Sequence, residues 1–182
     1  MSKIKVYVAH AMTGKMKDEL VREAEYTTRQ LQAYGFEVLD PIVAENIQDV
    51  HEPLVQLDSE TLERHWRRDK EMLKEADLML DFNACNKSDG VAKELGYTRF
   101  CLWKPVIRVF PNCGINISRI EDDVIVETLP EAIQIMNEKY GSFVKLHMWR
   151  QKMLDRSFNN WIAEQNKMNE RYGITTSLVG VA

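Results

Sequence analysis

The sequence has few cysteines and lacks the spacings that would make them structural. Cys85, Cys101 and Cys113 are an odd number and contain no C-x-x-C pair. This argues against a disulfide framework and against a zinc knuckle. The chain also has no apolar run long enough to span a bilayer and no signal-peptide pattern, so a cytoplasmic location is expected.

Positive charge is not in excess either. The chain has 24 Lys and Arg against 28 Asp and Glu, a net charge of −4. Such a balance gives no general attraction to a nucleic-acid polymer or to an anionic membrane, and neither is expected as a partner. A length of 182 residues, 45% hydrophobic and 29% charged, predicts one globular domain with an appendage.

Three common site motifs are missing. The loop 9–15, AHAMTGK, has a single glycine, so it is not the G-x-G-x-x-G of a dinucleotide-binding fold. Its Gly14-Lys15 pair lacks both the leading glycine and the following Ser or Thr that a P-loop needs. The nucleophile elbow G-x-S-x-G is also absent.

What the sequence does contain is an alternation of strand-like and helix-like segments. Strands are predicted at 3–9, 36–41, 77–82, 104–110 and 124–127, and helices at 16–34, 59–75, 89–101 and 130–139. Residues 42–58 show no firm period and contain Pro53, so they are predicted to be a loop. The order predicts an α/β fold, an open parallel five-stranded sheet with helices on both faces.

The C-terminal part has a different pattern. Residues 142–172 carry an apolar stripe at helical spacing with charge on the other face, which predicts one long helix. A helix of this length is expected to pack on the core or on a neighbouring subunit. We therefore divide the chain into an α/β domain, 1–140, and a C-terminal helical extension and tail, 141–182.

Carboxylates gather where the predicted strands end. Ligands of open parallel sheets bind outside the carboxyl ends of the strands. The side chains predicted near that edge are Tyr7, Asp40, Asp69, Asp81, Ser88, Asp89 and Glu94. Carboxylates suit a sugar, because their oxygens bind hydroxyls and one can attack an anomeric carbon.

Several motifs resemble the nucleoside 2-deoxyribosyltransferase family. They are VYVA at 6–9, D-x-x-x-L-K-x-A-D-L-M-L at 69–80, SDGVAKELGY at 88–97 and KPV at 104–106. The resemblance covers about residues 3–140. It implies a flavodoxin-like fold and cleavage of the N-glycosidic bond between a base and 2-deoxyribose. It further implies a covalent glycosyl-glutamate intermediate, resolved by water or a second base, with no metal or organic cofactor.

The resemblance also assigns roles to residues. Glu94 matches the nucleophile, Asp69 the aspartate that works with the base or its proton, and Tyr7 the hydroxyl that steadies the nucleophile. Substrate contacts are expected from His10, Met12, Asp40, Ser88, Asp89, Gly90, Asn116 and Ser118. The last two lie in 111–118, a segment that family members lend to the neighbouring subunit, so a homo-oligomer is expected.

One position separates two branches of this family. Six residues before the expected nucleophile the chain has Ser88, where the transferases carry an aspartate and the deoxynucleoside monophosphate hydrolases a serine. A carboxylate would repel a 5′-phosphate, whereas a hydroxyl and backbone N–H groups can donate to it. A monophosphate substrate is therefore expected, while the adjacent Asp89 keeps the transferase alternative open. Thr13 stands where the hydrolases carry an arginine, which leaves Lys15 or Lys17 to supply positive charge.

Structural roles stay open for the same residues. Glu94 suits a solvated helix position, and Asp69 suits a surface pair with a neighbouring arginine. Tyr7 suits a core tyrosine, and Ser88 suits a helix N-cap. His65 and Trp66 are expected to pack or to face solvent, and no metal site is predicted.

Two other classes of function stay open as well. A ligand-binding or sensor module would keep the fold and bind nucleotides without releasing a base. An NAD-directed glycohydrolase also uses a glutamate on a flavodoxin-like sheet, and it would release nicotinamide instead.

Overall fold

The computed structural model describes residues 3–11, 15–44, 59–82, 88–110 and 124–171. The chain divides into two compact units, Met1–Gly141 and Ser142–Ala182. The first unit carries the sheet and the second the C-terminal helix, and each is described by itself.

The first unit is built on a five-stranded parallel sheet. Its strands are β1 (Lys5–His10), β2 (Glu37–Leu39), β3 (Leu78–Phe82), β4 (Val106–Val109) and β5 (Val124–Val126), in the order β2-β1-β3-β4-β5. This is the flavodoxin-like strand order, which confirms the predicted fold class. The register sets Ala9 opposite Asp81 and His10 opposite Phe82, so β1 and β3 end level with each other.

Five helices of this unit are described. They are α1 (Lys17–Ala33), α2 (Pro41–Ala44), α3 (Ser59–Glu75), α4 (Asp89–Gly96) and α5 (Leu129–Ile135), with π-helical turns Tyr97–Cys101 and Met136–Tyr140 continuing the last two. The chain turns away from helix α1 at Gly35, where the backbone has a φ of +90° that favours glycine, which agrees with the helix predicted at 16–34. The Phe36 N–H closes this helix end by donating to the Leu31 carbonyl at 3.2 Å.

The short helix α2 occupies the start of a segment predicted as a loop. Asp40 begins it, since its Oδ1 accepts the backbone N–H of Ile42 at 2.8 Å. Pro41 follows at the first helical position, where a missing N–H costs no intrahelical hydrogen bond. The loop prediction is therefore wrong for 42–44, and 45–58 lie outside the described residues.

The central strands are near-continuous apolar runs because helices cover both faces of the sheet. Val6, Val8, Leu80 and Ile107 are fully buried. On the other face of β1, Tyr7 belongs to a buried cluster formed with residues of α3, α4, β3 and β4. The strand thus places the tyrosine ring in the core, next to the two helices that bear Asp69 and Glu94.

Lys104, from the KPV motif, is a buried lysine that closes helix α3. Its Nζ donates to the carbonyls of Leu73 at 2.8 Å, Lys74 at 2.6 Å and Ala76 at 2.5 Å. The last carbonyls of a helix lack intrahelical donors and carry partial negative charge, so a lysine ammonium satisfies both needs. This contact anchors the end of the helix that carries Asp69.

We expect Lys104→Met to destabilise the protein by about 2–3 kcal/mol, because several buried carbonyls would lose a charged donor. Urea unfolding at pH 7 measures this, with the exposed Lys139→Met as the matched control. A loss below about 0.5 kcal/mol, the level of ordinary surface changes, would contradict this role for the lysine.

The second unit contains the long helix α6, Phe143–Arg171, which confirms the predicted C-terminal helix. Its first turn is capped by Ser142, whose Oγ accepts the Lys145 N–H at 3.3 Å. Large exposed apolar side chains along it are Phe143, Val144, Met148, Leu154, Phe158, Trp161 and Met168. In the described part of the chain, no helix combines the length and apolar character needed to cross a membrane.

Candidate active site

A cleft of about 360 Å³ lies at the carboxyl end of β1, with residues of α2, α3 and α4 in its wall. This volume falls in the range typical of small-molecule sites. Six predicted site residues line it: Tyr7, His10, Asp69, Asp89, Gly90 and Glu94. Asp40 and Ser88 do not line the cleft, although each is adjacent in sequence to a residue that does. Met12, Asn116 and Ser118 lie outside the described residues.

Glu94 is a buried carboxyl in the second turn of α4, with 9% of the residue exposed. Its Oε2 has no hydrogen-bond partner among the described residues. Burial, followed by the negative charges of Asp69 and Asp81, raises its pKa to about 8, while Tyr7 and His10 act to lower it. A strongly shifted carboxyl in a cleft is a frequent mark of a functional group.

Tyr7 is completely buried beside Glu94. Its hydroxyl makes no hydrogen bond of normal geometry to any described residue. The two groups are still close enough for each to shift the other's pKa through hydrogen bonding. Burial and the charges of Glu94 and Asp69 raise the pKa of Tyr7 well above its ordinary value. The hydroxyl therefore stays protonated and can donate to a carboxylate in the cleft.

Asp69 lies near the end of α3 and pairs with the preceding residue. Its Oδ1 accepts from Nη2 of Arg68 at 2.7 Å and from Nε at 3.0 Å. The pair with a neighbouring arginine, expected as a purely structural alternative, is therefore present. It does not remove Asp69 from the site, because both residues line the cleft and Asp69 acts electrostatically on Glu94.

His10 lies at the centre of a buried cluster of charges. Its Nδ1 donates to Glu23 at 3.1 Å and its Nε2 to Asp40 at 2.9 Å. Lys15 Nζ donates to the other oxygen of Glu23 at 2.5 Å. Burial lowers the pKa of His10, but the hydrogen bonds to Asp40 and Glu23 outweigh it and raise the pKa to about 9. At neutral pH the ring is therefore an imidazolium, with both nitrogens engaged by carboxylates.

Ser88 is the N-cap of α4. Its Oγ accepts the N–H of Val91 at 3.5 Å, and its backbone is extended, as a cap requires. The structural role expected as an alternative is thus observed. Asp89 and Gly90 follow in the first turn, and both line the cleft.

Asp81, at the end of β3, adds a further buried carboxyl near the site. Its Oδ2 accepts from Nε of Arg108 at 2.9 Å, and its Oδ1 has no partner among the described residues. Burial raises the pKa of Asp81, and the charge of Arg108 opposes this. Within the described ranges, no group of three or more His, Cys, Asp or Glu side chains is arranged to hold a metal ion.

The cleft wall also contains residues that the sequence did not assign to a site. They are Pro41, Ile42, Leu62, His65, Trp66, Arg68 and Lys93. His65 and Trp66 were expected to pack or to face solvent; Trp66 does pack against the buried cluster that contains Tyr7, and both residues also line the cleft. Helical periodicity could have identified the α3 residues of the cleft from the sequence, because positions 62, 65, 66 and 69 share one face of α3. Positions 89, 90, 93 and 94 share one face of α4 in the same way.

Among known proteins, similarity to this chain is found by comparing structures. No family model matches the sequence, and no curated protein matches it. Among solved structures, the chain is similar to a 2-deoxyribosyltransferase from the psychrotolerant bacterium Bacillus psychrosaccharolyticus. The two are 25% identical, with a TM-score of 0.53, over 78% of this chain and 95% of that one. This confirms the resemblance to the nucleoside 2-deoxyribosyltransferase family. The prediction that the chain is an enzyme is confirmed with it.

Two further solved structures are similar at lower identity. A conserved protein from Enterococcus faecalis V583 is 14% identical with a TM-score of 0.52, over 75% of this chain and 99% of that one, and it shows the fold alone. A CMP N-glycosidase from Clostridium botulinum, BcmB, is 15% identical with a TM-score of 0.45, over 73% and 98%. A score this low carries no argument about function.

Proposed function

We propose that the protein breaks the N-glycosidic bond of 2′-deoxynucleoside 5′-monophosphates, or of deoxynucleosides, through a covalent bond between Glu94 and the sugar. The observation that carries the proposal is the buried Glu94 carboxyl, with an unpartnered oxygen among the described residues, in one cleft with Tyr7 and Asp69. Cleavage or transfer at an N-glycosidic bond is also supported by the likeness to the Bacillus 2-deoxyribosyltransferase.

The proposed reaction has two halves. Ionised Glu94 forms a bond to the anomeric carbon as the bond to the base breaks, and Asp69, in its protonated form, gives its proton to the departing base. Water then attacks the anomeric carbon and gives a proton to the Asp69 carboxylate, which frees the sugar and restores both the Glu94 carboxylate and the protonated Asp69. A second base in place of water would give transfer. Once Glu94 is ionised, the Tyr7 hydroxyl can donate to the carboxylate and hold it in place for attack.

The proposed reaction can begin only in molecules whose Glu94 carboxyl is ionised. With a pKa of about 8 in the empty cleft, only about 10% of the molecules carry the ionised form at pH 7. The value of kcat/KM is therefore expected to rise with pH until Glu94 is fully ionised, since this constant reports the free enzyme.

Two cationic residues in the cleft wall support a substrate with negative charge at one end. Arg68 and Lys93 add positive charge to the wall, and an arginine guanidinium matches a phosphate especially well. The N-terminal turn of α4 begins at Ser88, beside the cleft. Asp89 works against a phosphate and favours a hydroxyl, which is the feature that supports the nucleoside alternative.

We expect free base to be released from deoxynucleoside 5′-monophosphates at least about tenfold faster than from deoxynucleosides, if one phosphate contact is worth about 1.4 kcal/mol or more. The measurement is chromatography of the products, with and without a second free base. Glu94→Ala is the inactive comparison and Glu127→Gln, at an exposed position, is the matched control.

The outcomes separate the possibilities. New nucleoside formed only with a second base would identify a transferase. Release of nicotinamide from NAD, with deoxynucleotides untouched, would identify the glycohydrolase alternative. Nucleotide binding without any product would leave the sensor alternative, and equal rates for parent and Glu94→Ala would refute the assignment of Glu94.

We also propose that the protein is a homo-oligomer. The exposed apolar side chains of α6 support this, because a long helix with such a stripe is normally covered. Light scattering at micromolar concentration measures the mass directly, and a monomer of 21.2 kDa would contradict the proposal.

A further inference from the structure

One wall of the cleft is formed by the short helix α2, through Pro41 and Ile42. The helix is a single turn, closed by the Ala44 N–H, which donates to the Asp40 carbonyl at 2.9 Å. A single turn is not stable by itself, because fixing its backbone costs more free energy than one hydrogen bond returns. The position of α2, and with it the shape of the cleft, therefore depends on contacts with the rest of the first unit.

Apolar packing holds α2 against α1 but does not orient it. Ile42 is buried in a cluster with Leu20 and Ala24 of α1. Apolar attraction is non-directional, so it favours contact between the two helices without fixing the angle of a single turn. A directional contact is needed to decide how α2 faces the cleft.

The Asp40 carboxylate supplies that direction. Its Oδ1 accepts the backbone N–H of Ile42 at 2.8 Å and that of Val43 at 3.4 Å, which ties it to the first turn of α2. Its Oδ2 accepts from Nε2 of His10 at 2.9 Å. His10 is the last residue of β1 and itself lines the cleft. One carboxylate therefore joins the end of β1 to the helix that forms the wall.

The His10 ring is held on two further sides. Its Nδ1 donates to Glu23 of α1 at 3.1 Å, and Lys15 Nζ donates to the other oxygen of Glu23 at 2.5 Å. The ring also packs edge-on against Phe82 of β3, with the ring centroids 5.8 Å apart and an interplanar angle of 60°. The imidazole is thus a fixed point between α1 and β3, and Asp40 takes its position from it.

Stability alone does not account for this arrangement. The side chains of His10 and Asp40 are each 1% exposed, and the preceding residues on this face of β1, Val6 and Val8, are apolar and fully buried. A buried ion pair is often no more stabilising than apolar side chains of the same volume, because taking charges out of water is costly. What the charged groups add at the strand end is hydrogen bonds of fixed direction, and these lead to the wall of the cleft.

We propose that His10 and Asp40 are positioning residues for substrate binding: their hydrogen bond orients α2, so that this wall of the cleft is already in place when the substrate enters. The inference rests on the proposed function, because it takes the cleft as the substrate site. It concerns the binding step and leaves attack on the sugar to Glu94. If the wall were formed in only a fraction of the molecules, the apparent affinity for substrate would fall by that fraction.

Two substitutions of His10 remove its charge equally and differ only in the carboxylate that keeps a donor. The amide nitrogen of asparagine lies as many bonds from Cα as Nδ1 of histidine, so His10→Asn can still donate to Glu23 but leaves Asp40 without this donor. The amide nitrogen of glutamine corresponds to Nε2, so His10→Gln can still donate to Asp40. We therefore expect the asparagine variant to release α2 and the glutamine variant to hold it.

Amide hydrogen exchange, followed by NMR, reports the order of α2 without any substrate. The N–H groups of Ile42 and Val43 should exchange at least about fivefold faster in His10→Asn than in His10→Gln, the equivalent of about 1 kcal/mol and the scale of a disturbed N-cap. The KM for a deoxynucleoside 5′-monophosphate should be higher in His10→Asn by a similar factor, with kcat nearly equal in the two variants, as for lost binding that does not change the chemical step. A merely structural role would change both variants alike, and equal exchange rates and equal KM values would overturn the inference.

Asp40 provides a second test if a His10 variant does not fold. Asp40→Asn keeps an oxygen for the Ile42 N–H and an amide that can donate to a neutral His10, whereas Asp40→Ala keeps neither. The KM of Asp40→Ala should exceed that of Asp40→Asn by about fivefold or more. Asp18→Ala, at an exposed position of α1, is the matched control and should bind like the parent. Equal KM values for the two Asp40 variants would overturn the inference.

Failure of the proposed function gives a different result. If the parent released no base from any deoxynucleoside or deoxynucleoside 5′-monophosphate, the proposed function would be refuted, and the role in substrate binding with it. The exchange rates of Ile42 and Val43 would still decide whether His10 and Asp40 orient α2, because that measurement needs no substrate.

Discussion

Replacing Glu94 with glutamine is expected to abolish turnover and, at the same time, to make the protein more stable at alkaline pH. Glutamine has nearly the same shape but cannot form the bond to the sugar, so a loss of kcat of at least about 10³-fold is expected. The gain in stability has a separate cause. The parent must keep a carboxyl inside a cleft that disfavours its charge, and the variant need not.

The direction of the pH effect follows from the pKa of Glu94, which is about 8 in the folded protein against an ordinary value of 4.5. The folded state binds the proton more tightly, so stability is fully present below pH 4.5 and is lost as pH rises through about 8. Since the variant does not ionise here, its advantage grows across that window, to at most about 5 kcal/mol above pH 8.

Deprotonation of His10 also lowers the stability of the protein as pH rises, but over a different pH range. Its pKa is about 9 in the folded protein against an ordinary value of 6.5, so its contribution to stability is fully present below pH 6.5 and is lost as pH rises through about 9. The parent should therefore lose stability steadily from pH 5 to pH 9. Glu94→Gln should keep only the part of the loss that comes from His10.

Urea unfolding at pH 5, 7 and 9 measures both effects, with Glu127→Gln as the matched control at an exposed position. An identical pH dependence in the parent and in Glu94→Gln would show that Glu94 ionises normally. Turnover retained in Glu94→Gln would place the attacking group elsewhere.

Replacing Asp69 with asparagine is expected to slow release of ordinary bases by about 10²–10⁴-fold, the usual contribution of a general acid. A base that already carries a positive charge, such as 7-methylguanine, departs as a neutral molecule and needs no proton. Its release should therefore fall much less, by about tenfold or below. The ratio of the two rates isolates proton donation from any change in the fold.

Arg68→Gln is the informative comparison for Asp69→Asn. It removes the partner of Asp69 but leaves the proton donor, so it should slow both kinds of substrate to a similar degree. If Asp69→Asn also slows both substrates equally, Asp69 contributes to binding or positioning and the proton comes from another group.

The fold could be predicted because its signals are local. Apolar runs such as that of β1 and helix stops such as Gly35 are properties of short segments. The miss at α2 was avoidable, since Asp40 followed by Pro41 is a recognised helix start. The predicted helices 89–101 and 130–139 cover α4 and α5 together with the π-helical turns that continue them, but the change from α-helical to π-helical geometry has no comparable signal.

The site was predictable only in part. Glu94, Asp69 and Tyr7 were predicted because they belong to contiguous motifs, and the structure brings all three into one cleft. His10 hydrogen-bonds to Glu23, which is 13 positions away in the sequence, and to Asp40, which is 30 positions away. Such pairing is set by how α1 and β2 pack against β1, and no spacing in the sequence reports it.

The strand order has a consequence for the way the protein is made. Strand β1 pairs on one edge with β2, which follows it closely in the sequence. Its other edge pairs with β3, which begins about 70 residues later at Leu78. Contacts between distant segments form slowly, because a long loop must first close. During synthesis, the nascent chain can therefore pair β1 with β2 while the cleft is still absent. Tyr7, Asp69 and Glu94 can meet only after α4 has left the ribosome, so the growing chain has no complete cleft until at least residue 96 has been made.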